Sequence, residues 1–531
     1  MDDGRRGDLE LGTIPRLVER SAERFGAAEA IADGAHRLDF TELAARVRQL
    51  ARALLAVGVQ PGERVAIWAP NQWEWVVAAL GVHSVGGVLV PINTRFRGEE
   101  AAEVLRRSRA RLLFTVTGFL ASDYVGMLRG AALPDLERIV ILRGDAPEGT
   151  MTLPDLLAAA THATDAEASA RAGAVLPTDP CDLMFTSGTT GRAKAVPSTH
   201  AQTLRAFADW SDLAGLCAGD RYLVVAPFFH SFGYKAGWLA CLMTGATVVP
   251  QPTFDVAAVL GRIAAERISV LPGPPTLYQS LLARADLGDF DLSSLRLAVT
   301  GAAVIPVELV RRMRSELGFS TVLTAYGLTE ATGVSTMCRR DDDAETIATT
   351  SGRAIPGVEV RVVDDAGRAL PAGEPGEVVV RGYGVMAGYE GDPDETARAI
   401  DAEGFLHTGD IGVLDARGYL RITDRKKDMF IVGGFNAYPA EIEGVLLRHE
   451  GIAQVAVVGA PDERLGEVGV AFVVPRPGAS LDPEALVAWS REHMANYKVP
   501  RRVELVGELP TNATGKVMRH VLRERVRAAG A

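Results

Sequence analysis

Cysteine is scarce: Cys181, Cys217, Cys241 and Cys338 are the only four in 531 residues. They are widely separated and form no CxxC pair, which excludes a disulfide framework and a cysteine-ligated zinc site and fits a reducing compartment. Long apolar runs are missing as well. No stretch reaches the ~18 uninterrupted apolar residues of a membrane-spanning helix, so no transmembrane segment is expected. The start, Met1-Asp2-Asp3-Gly4-Arg5-Arg6, continues into acidic and polar sequence without the apolar core of a secretory signal, so a cytoplasmic location is expected. Positive charge is not in excess either: the formal net charge is −11. That balance argues against a nucleic-acid partner and against any general attraction to anionic lipid. Anionic substrates must then be met by local positive sites.

What is present is an ordinary globular composition, 47% hydrophobic and 23% charged. The chain is too long for one compact core, since cores stop growing near ~250–300 residues. Apolar residues recur at helical spacing over Ile14–Phe25 and Phe40–Val57, and Val65–Trp68 then reads as a buried strand. Helix and strand alternate through Trp73–Val82, Gly87–Ile92, Glu99–Ser108, Arg111–Val116 and Ile139–Leu142, predicting a layered α/β unit with parallel pairing. The Ala/Thr/Asp-rich segment Ala158–Ala174 reads as a surface connection. A second α/β unit follows through Tyr222–Pro227, Ala246–Pro250, Val256–Glu266, Ser269–Leu271, Leu297–Thr300 and Thr321–Tyr326. In such sheets ligands sit beyond the carboxyl ends of the strands. After Ser351 the pattern turns to antiparallel strands over Val358–Val363, Gly376–Arg381 and Gly418–Ile422, and beyond the charged run Asp424–Asp428 a small α/β domain begins. The spans expected are 1–424 for a large N-terminal domain, divided near 175 and 340 into two α/β subdomains and a β-rich one, then a hinge at 425–427 and a C-terminal lid at 428–531.

One stretch concentrates chemistry. Phe185-Thr186-Ser187-Gly188-Thr189-Thr190-Gly191-Arg192-Ala193-Lys194 carries four hydroxyls, two glycines and two cations after an apolar strand-like run. Glycines let backbone N–H groups turn towards a ligand, hydroxyls add short donors, and Arg and Lys supply charge, a combination suited to polyphosphate. It is not a P-loop, because Ala193 and Ala195 stand where the second glycine and the magnesium-binding Ser or Thr belong. A second glycine pattern, Gly382-Tyr383-Gly384-Val385-Met386-Ala387, imitates a dinucleotide fingerprint. The turn-rich Gly388-Tyr389-Glu390-Gly391-Asp392-Pro393 behind it cannot open the long helix that fold needs.

The decapeptide resembles the phosphate-binding signature of the adenylate-forming acyl-CoA synthetases, a family that includes fatty-acid and aryl CoA ligases and luciferases. The resemblance extends from about Ile14 to Arg527, because further family motifs occur in order. It implies a large N-terminal domain of two layered α/β subdomains with a barrel-like β-rich subdomain, and a small mobile C-terminal α/β domain. It implies that Thr186, Ser187, Gly188, Thr189, Thr190, Gly191 and Lys194 grip the phosphates of ATP. Thr300-Gly301-Ala302-Ala303 and Ala325-Tyr326-Gly327-Leu328-Thr329-Glu330 resemble the adenine site, with Tyr326 on the purine, Thr329 on the α-phosphate and Glu330 on Mg²⁺, a hard cation that prefers oxygen. Asp410 in Thr408-Gly409-Asp410 would accept both ribose hydroxyls, which a carboxylate can do, with Arg425 as a second ribose contact. Lys427 falls at the hinge, Gly433 and Gly434 would face the coenzyme A channel, and Lys516 in Thr514-Gly515-Lys516 would drive adenylation. His230, in Pro227-Phe228-Phe229-His230-Ser231-Phe232-Gly233, matches the gate between acyl pocket and thiol tunnel; a lone histidine in an apolar run is more often a core residue, and the flanking motifs favour the gate here.

The reaction implied joins a carboxylic acid to CoA through acyl-AMP with release of pyrophosphate. Phe232, Gly233, Tyr234, Lys235, Gly237, Ala298, Gly301, Gly327, Gly333 and Val334 are expected to line the acyl side, with Tyr234-Lys235 reaching a substrate carbonyl or Lys235 simply solvated. The runs His230–Trp238, Leu271–Thr276 and Leu323–Glu330 are similar to those of the ligases that activate the indanedione-propanoate fragment of steroid C and D rings. A medium-chain fatty acid or an aryl acid is the alternative, and a non-catalytic acyl-adenylate binder a further one. The sequence does not read out the oligomeric state; a homodimer is compatible with it.

Overall fold

The structure is a computed structural model, and it describes residues 11–529 except 187–192, 302–304, 426–427, 433–434, 463–464, 495 and 513–515. Its first sheet has seven strands in the spatial order Met151–Thr152, Arg138–Arg143, Leu112–Val116, Arg64–Trp68, Val88–Pro91, Pro180–Thr186 and Lys194–Thr199. All neighbours are parallel except the last pair. The second sheet places Thr247–Pro250 between Glu29–Asp33 and Arg221–Val224, all parallel, and continues through single bridges at Val270 to Leu297–Gly301 and Thr321–Tyr326.

The helix Trp73–Ser84 explains how the two sheets are joined. Its sequence, WEWVVAALGVHS, has almost no polar face, and every residue from Glu74 to Ser84 is buried. A helix apolar all round must be covered all round, and this one lies against Arg64–Trp68 and Val88–Pro91 of the first sheet and Glu29–Asp33 of the second. One continuous apolar cluster, from Leu11 to Ile355, therefore runs through both sheets. Glu74, the helix's one acidic residue, takes a two-pronged hydrogen bond from Arg143 at 3.0 and 2.7 Å, which compensates its burial.

Most elements fall where the patterning puts them, within a residue or two. Residues 158–174 are mostly exposed and connect Met151–Thr152 to Pro180–Thr186, but as ordered structure rather than an irregular link. They fold into a 3₁₀ turn, Ala159–His162, and a helix, Asp165–Gly173. The cause is local: Thr164 accepts from the Glu167 N–H while the Glu167 carboxylate accepts from the Thr164 N–H, a capping box in front of an alanine-rich segment.

The β-rich part is a four-stranded antiparallel meander, Val358–Val363, Gly376–Gly382, Leu406–Leu414 and Leu420–Arg425. The nine-residue strand Leu406–Leu414 is hard to read from sequence because Gly409 and Gly412 interrupt its alternation.

The C-terminal sheet is built on the hairpin Ile452–Asp462 and Gly466–Pro475; the free edge of Gly466–Pro475 pairs at Gly466 with Phe430–Val432, which carries Phe435–Ala437 beyond it, and over Val470–Val473 with the parallel strand Arg502–Leu505. Along the hairpin, Val455, Val457, Ala471 and Val473 pack with Ile442, Leu446 and Leu486 on one face. The alternate residues Ala456, Val458, Val470 and Phe472 pack with Leu522 and Val526 on the other. Both faces are covered, which is why these strands are continuously apolar rather than alternating.

Candidate active site

Three strands deliver their carboxyl ends to one place. Thr186 ends Pro180–Thr186 and stands in register opposite Lys194, at the mouth of the glycine/threonine loop. Gly301 ends its strand opposite Ala325, and Tyr326 follows as the last residue of the neighbouring one. Residues 187–192 and 302–304 lie outside the described residues, and with them Ser187, Gly188, Thr189, Thr190, Gly191, Ala302 and Ala303.

The Glu330 carboxylate is fixed by two hydroxyl donors on the same oxygen: Thr186 Oγ1 at 3.3 Å and Tyr389 Oη at 3.1 Å. Its backbone carbonyl accepts from Met386 N at 2.9 Å. Burial, with the charge of Glu330 behind it, pushes the Tyr389 phenol up, so it stays a donor. The Lys194 ammonium lies 4.7 Å from the centroid of the Tyr389 ring and pairs with Glu395. Thr186, Lys194, Glu330, Tyr389 and Glu395 thus form one cluster. Among the described residues no group of three or more His, Cys, Asp or Glu side chains could hold a metal ion. A single carboxylate beside a hydroxyl suits a hard cation that keeps its waters and arrives bound to phosphate, as Mg²⁺ does.

The Tyr326 hydroxyl donates to Asp410 Oδ2 at 2.7 Å, tying the strand end to the meander. Asp410 is 5% exposed. It follows Gly409 at φ 68°, and its N–H donates to Thr408 Oγ1 at 3.1 Å. In the antiparallel ladder Asp410 stands opposite Arg425. A Cβ on Gly327 would collide with the backbone of Gly333 and Val334, and one on Gly301 would come within 2.6 Å of the Ala325 carbonyl oxygen, so both positions need glycine. Thr329 opens a short 3₁₀ turn, Thr329–Ala331, that places Glu330.

His230 caps the short helix Ser231–Gly233, its Nδ1 accepting from Phe232 N at 3.2 Å. Burial lowers its pKa to about 4, so the ring is neutral at physiological pH. The turn before it is held by Asn71, whose amide donates to the Val224 and Ala226 carbonyls and accepts from Phe228 N. Ser231 and Phe207 close over Gly333, next to Val334, which brings the histidine turn against the turn after Glu330. Phe232 is half-buried and Gly233 buried, where a Cβ would strike the Ala226 and Pro227 carbonyls.

Lys235 departs from expectation. It is neither solvated nor free to reach a substrate carbonyl: its ammonium pairs with Asp182 at 3.0 Å and donates to Ser198 Oγ at 2.9 Å, with the two charged side chains 1% and 0% exposed. Tyr234 is likewise fully buried, its hydroxyl 3.1 Å from His83 Nε2. Ala298 is fully buried inside its strand, opposite Val322.

Lys516 sits in a tight turn of the C-terminal domain: its N–H donates to Asn512 Oδ1 at 2.9 Å, its carbonyl accepts from Asn512 N at 2.8 Å, and Thr511 bridges Val517. Lys427, Gly433 and Gly434 lie outside the described residues. Sequence reasoning missed Tyr389, Glu395, Asn71 and Arg107, the last of which donates to the Ala193 carbonyl at the end of the glycine/threonine loop. Tyr389 lies in the turn-rich segment directly behind the glycine pattern Gly382–Ala387, where nothing local marks it as a donor to Glu330.

Comparison with known proteins agrees with this geometry. The AMP-binding enzyme family matches residues 18–390, and the AMP-binding enzyme C-terminal domain matches residues 441–516. A ligase of Rhodococcus jostii, named 3-[(3aS,4S,7aS)-7a-methyl-1,5-dioxo-octahydro-1H-inden-4-yl]propanoyl:CoA ligase, is 53% identical over 96% of this chain and 98% of its own length. A Mycobacterium tuberculosis protein of the same name is 52% identical over 97% and 99%. Among solved structures, an anthranilate CoA ligase bound to anthranoyl-AMP superposes with a TM-score of 0.88 at 30% identity, covering 98% of each chain. ATP-bound MatB from Rhodopseudomonas palustris does so at 0.85 and 30%, over 98% of this chain and 100% of its own.

Proposed function

Because the chain belongs to the AMP-binding enzyme family, we propose that its site activates a carboxylic acid with ATP, as the acyl-AMP anhydride, and passes the acyl group to coenzyme A. The acid we assign is the propanoate side chain of a methyl-dioxo-octahydroindene, a two-ring fragment of steroid origin. What carries the substrate assignment is identity above 50% over nearly the whole chain to two ligases named for that acid.

In this reading the substrate carboxylate attacks the α-phosphorus of ATP and pyrophosphate leaves against the Thr186–Lys194 loop. Lys516 and Thr329 supply positive charge and a hydroxyl donor to the transferring group, where charge builds. Glu330, held by Thr186 and Tyr389, is the ligand offered to Mg²⁺, which would neutralise phosphate charge. Tyr326 is the shelf for the purine, and the Asp410 carboxylate, with Arg425 opposite it in the ladder, takes the ribose diol. The second half needs the CoA thiol at the acyl carbon, with AMP as leaving group. A neutral His230 beside the acyl side leaves the thiolate's path free of a competing cation. Lys516 is carried by a domain with its own two-faced core, and rotation about Lys427 would withdraw it and bring up Gly433 and Gly434, the gating role of domain motion. The enzyme works where ATP and CoA are at hand, in the cytoplasm. No helix among the described residues is long and apolar enough to cross a membrane, and a homodimer would be compatible with the reading.

A pyrophosphate-release screen over the indanedione propanoate, medium-chain fatty acids and aryl acids, with and without CoA, tests this. Release only with the two-ring acid, and thioester only when CoA is added, is the expected result. Equal turnover of octanoate or benzoate overturns the substrate assignment, and no pyrophosphate with any acid overturns the ligase reading.

A further inference from the structure

We propose that the buried Lys235–Asp182 ion pair is a positioning device: it fixes the turn carrying His230 and Phe232 to the sheet that ends in the phosphate loop, and thereby sets the acyl side of the site. The proposal deepens the ligase reading and rests on it. Asp182 sits in the strand Pro180–Thr186, four residues before Thr186, with a strand on each side: parallel pairing to Val88–Pro91 and antiparallel pairing to Lys194–Thr199. Ser198, on that second neighbour, also accepts from the Lys235 ammonium, so the cation is held by two strands at once. Lys235 itself lies at the start of a π-helical turn, Tyr234–Leu239, five residues after His230 and three after Phe232. Such turns are rare and often functional, and this one contains Gly237 at φ −93° and ψ −107°, outside helical geometry.

The two partners therefore differ in stiffness. The strand is held by hydrogen-bond ladders on both sides, whereas the turn is held by its own local backbone hydrogen bonds, by side chains such as Tyr234 stacked on Trp238 at 4.9 Å and Tyr222 donating to the Ala236 carbonyl at 3.0 Å, and by this charged tether. A buried ion pair adds little net stability over apolar residues of the same volume, because desolvation offsets attraction. Its distinctive contribution is direction: one ammonium meets one carboxylate and one hydroxyl in a single register. Loss of the tether should displace His230 and Phe232 while leaving Thr186 and its loop in place.

The test uses the full chain and the double variant Lys235→Met with Asp182→Leu, which removes both charges and avoids stranding one. Its melting temperature should stay within a few degrees of the parent. Amide hydrogen exchange should rise about tenfold in peptides spanning 230–239 and not in those spanning 180–186. The KM for the acid should rise about tenfold or more at an unchanged KM for ATP, since small misplacements of a positioned substrate cost that much. Parent-like exchange and acid KM overturn the proposal, as does an ATP KM that rises as much as the acid KM. Lys235→Arg keeps the charge but alters the reach, and decides by the same split if the double variant does not fold. A parent protein that releases no pyrophosphate sinks the ligase reading instead, and the exchange pattern then still judges the ion pair.

Discussion

Replacing Tyr389 with phenylalanine probes a side-chain contact between the glycine-rich segment after the meander's second strand and the Glu330 carboxylate, the proposed Mg²⁺ ligand. The ring stays, so the contact of the Lys194 ammonium with its face, at 4.7 Å, is kept. What disappears is a single O–H donor to Glu330 Oε1 at 3.1 Å. Hydrogen bonds to charged groups contribute about 1.5–3 kcal/mol. Here the lower part of that range applies, because the Thr186 hydroxyl still donates to the same oxygen at 3.3 Å. A loss of about 1.5 kcal/mol corresponds to about tenfold in kcat/KM. The effect should appear as a demand for more Mg²⁺, since a carboxylate with one fewer donor is free to rotate away from the metal position. Acid-dependent ATP–pyrophosphate exchange, titrated with Mg²⁺, is the assay. Half-saturation for Mg²⁺ should rise several-fold, with little change in melting temperature. A variant within twofold of the parent in both kcat/KM and Mg²⁺ half-saturation would refute the assignment of Tyr389 as the orienting donor.

Three further outcomes follow from the same geometry. Lys516→Ala should lose about 10²–10³ in the adenylation half while largely sparing thioester formation from supplied acyl-AMP; equal losses in both halves would count against its role. Gly434→Trp should block CoA ester formation with pyrophosphate release persisting, and normal ester formation would remove the channel assignment. Burial lowers the His200 and His230 pKa values to about 4 and that of His83 well below its usual 6.5. The unfolded chain binds those protons near pH 6.5 and the folded one does not, so stability is full above that pH and declines as pH falls towards 4, by up to about 1.4 kcal/mol per unit for each histidine. Denaturant midpoints at pH 7 and pH 5 should differ accordingly, and equal midpoints would contradict the burial argument.

Much of the fold is legible because its signals are local. The strands Arg64–Trp68 and Thr321–Tyr326 are short apolar runs with a turn behind each, and Trp73–Ser84 declares its burial by having no polar face. The nucleotide-side residues are legible for a related reason: Thr186, Gly301 and Tyr326 each sit where a strand runs out. Lys235 is different. Its neighbours in sequence suggest either solvent or a pocket wall, and only Asp182, fifty-three residues earlier, shows where the charge goes. The sequence does contain the clue, an aspartate within the apolar run Cys181-Asp182-Leu183-Met184, but pairing two such misfits needs the three-dimensional register. Tyr389 and Glu395 escaped for the same reason, since their partners Glu330 and Lys194 lie far away along the chain. The helix Asp165–Gly173 was within reach, since a Thr164–Glu167 capping box precedes its alanines.

The helix shared by the two large sheets has a consequence for anyone who would divide this protein. Trp73–Ser84 belongs to neither half alone, so a gene cut near codon 175 would yield two products with raw apolar surfaces, each dependent on chaperones and prone to clump unless synthesised together. Split-reporter designs or limited digestion should therefore find no productive break there.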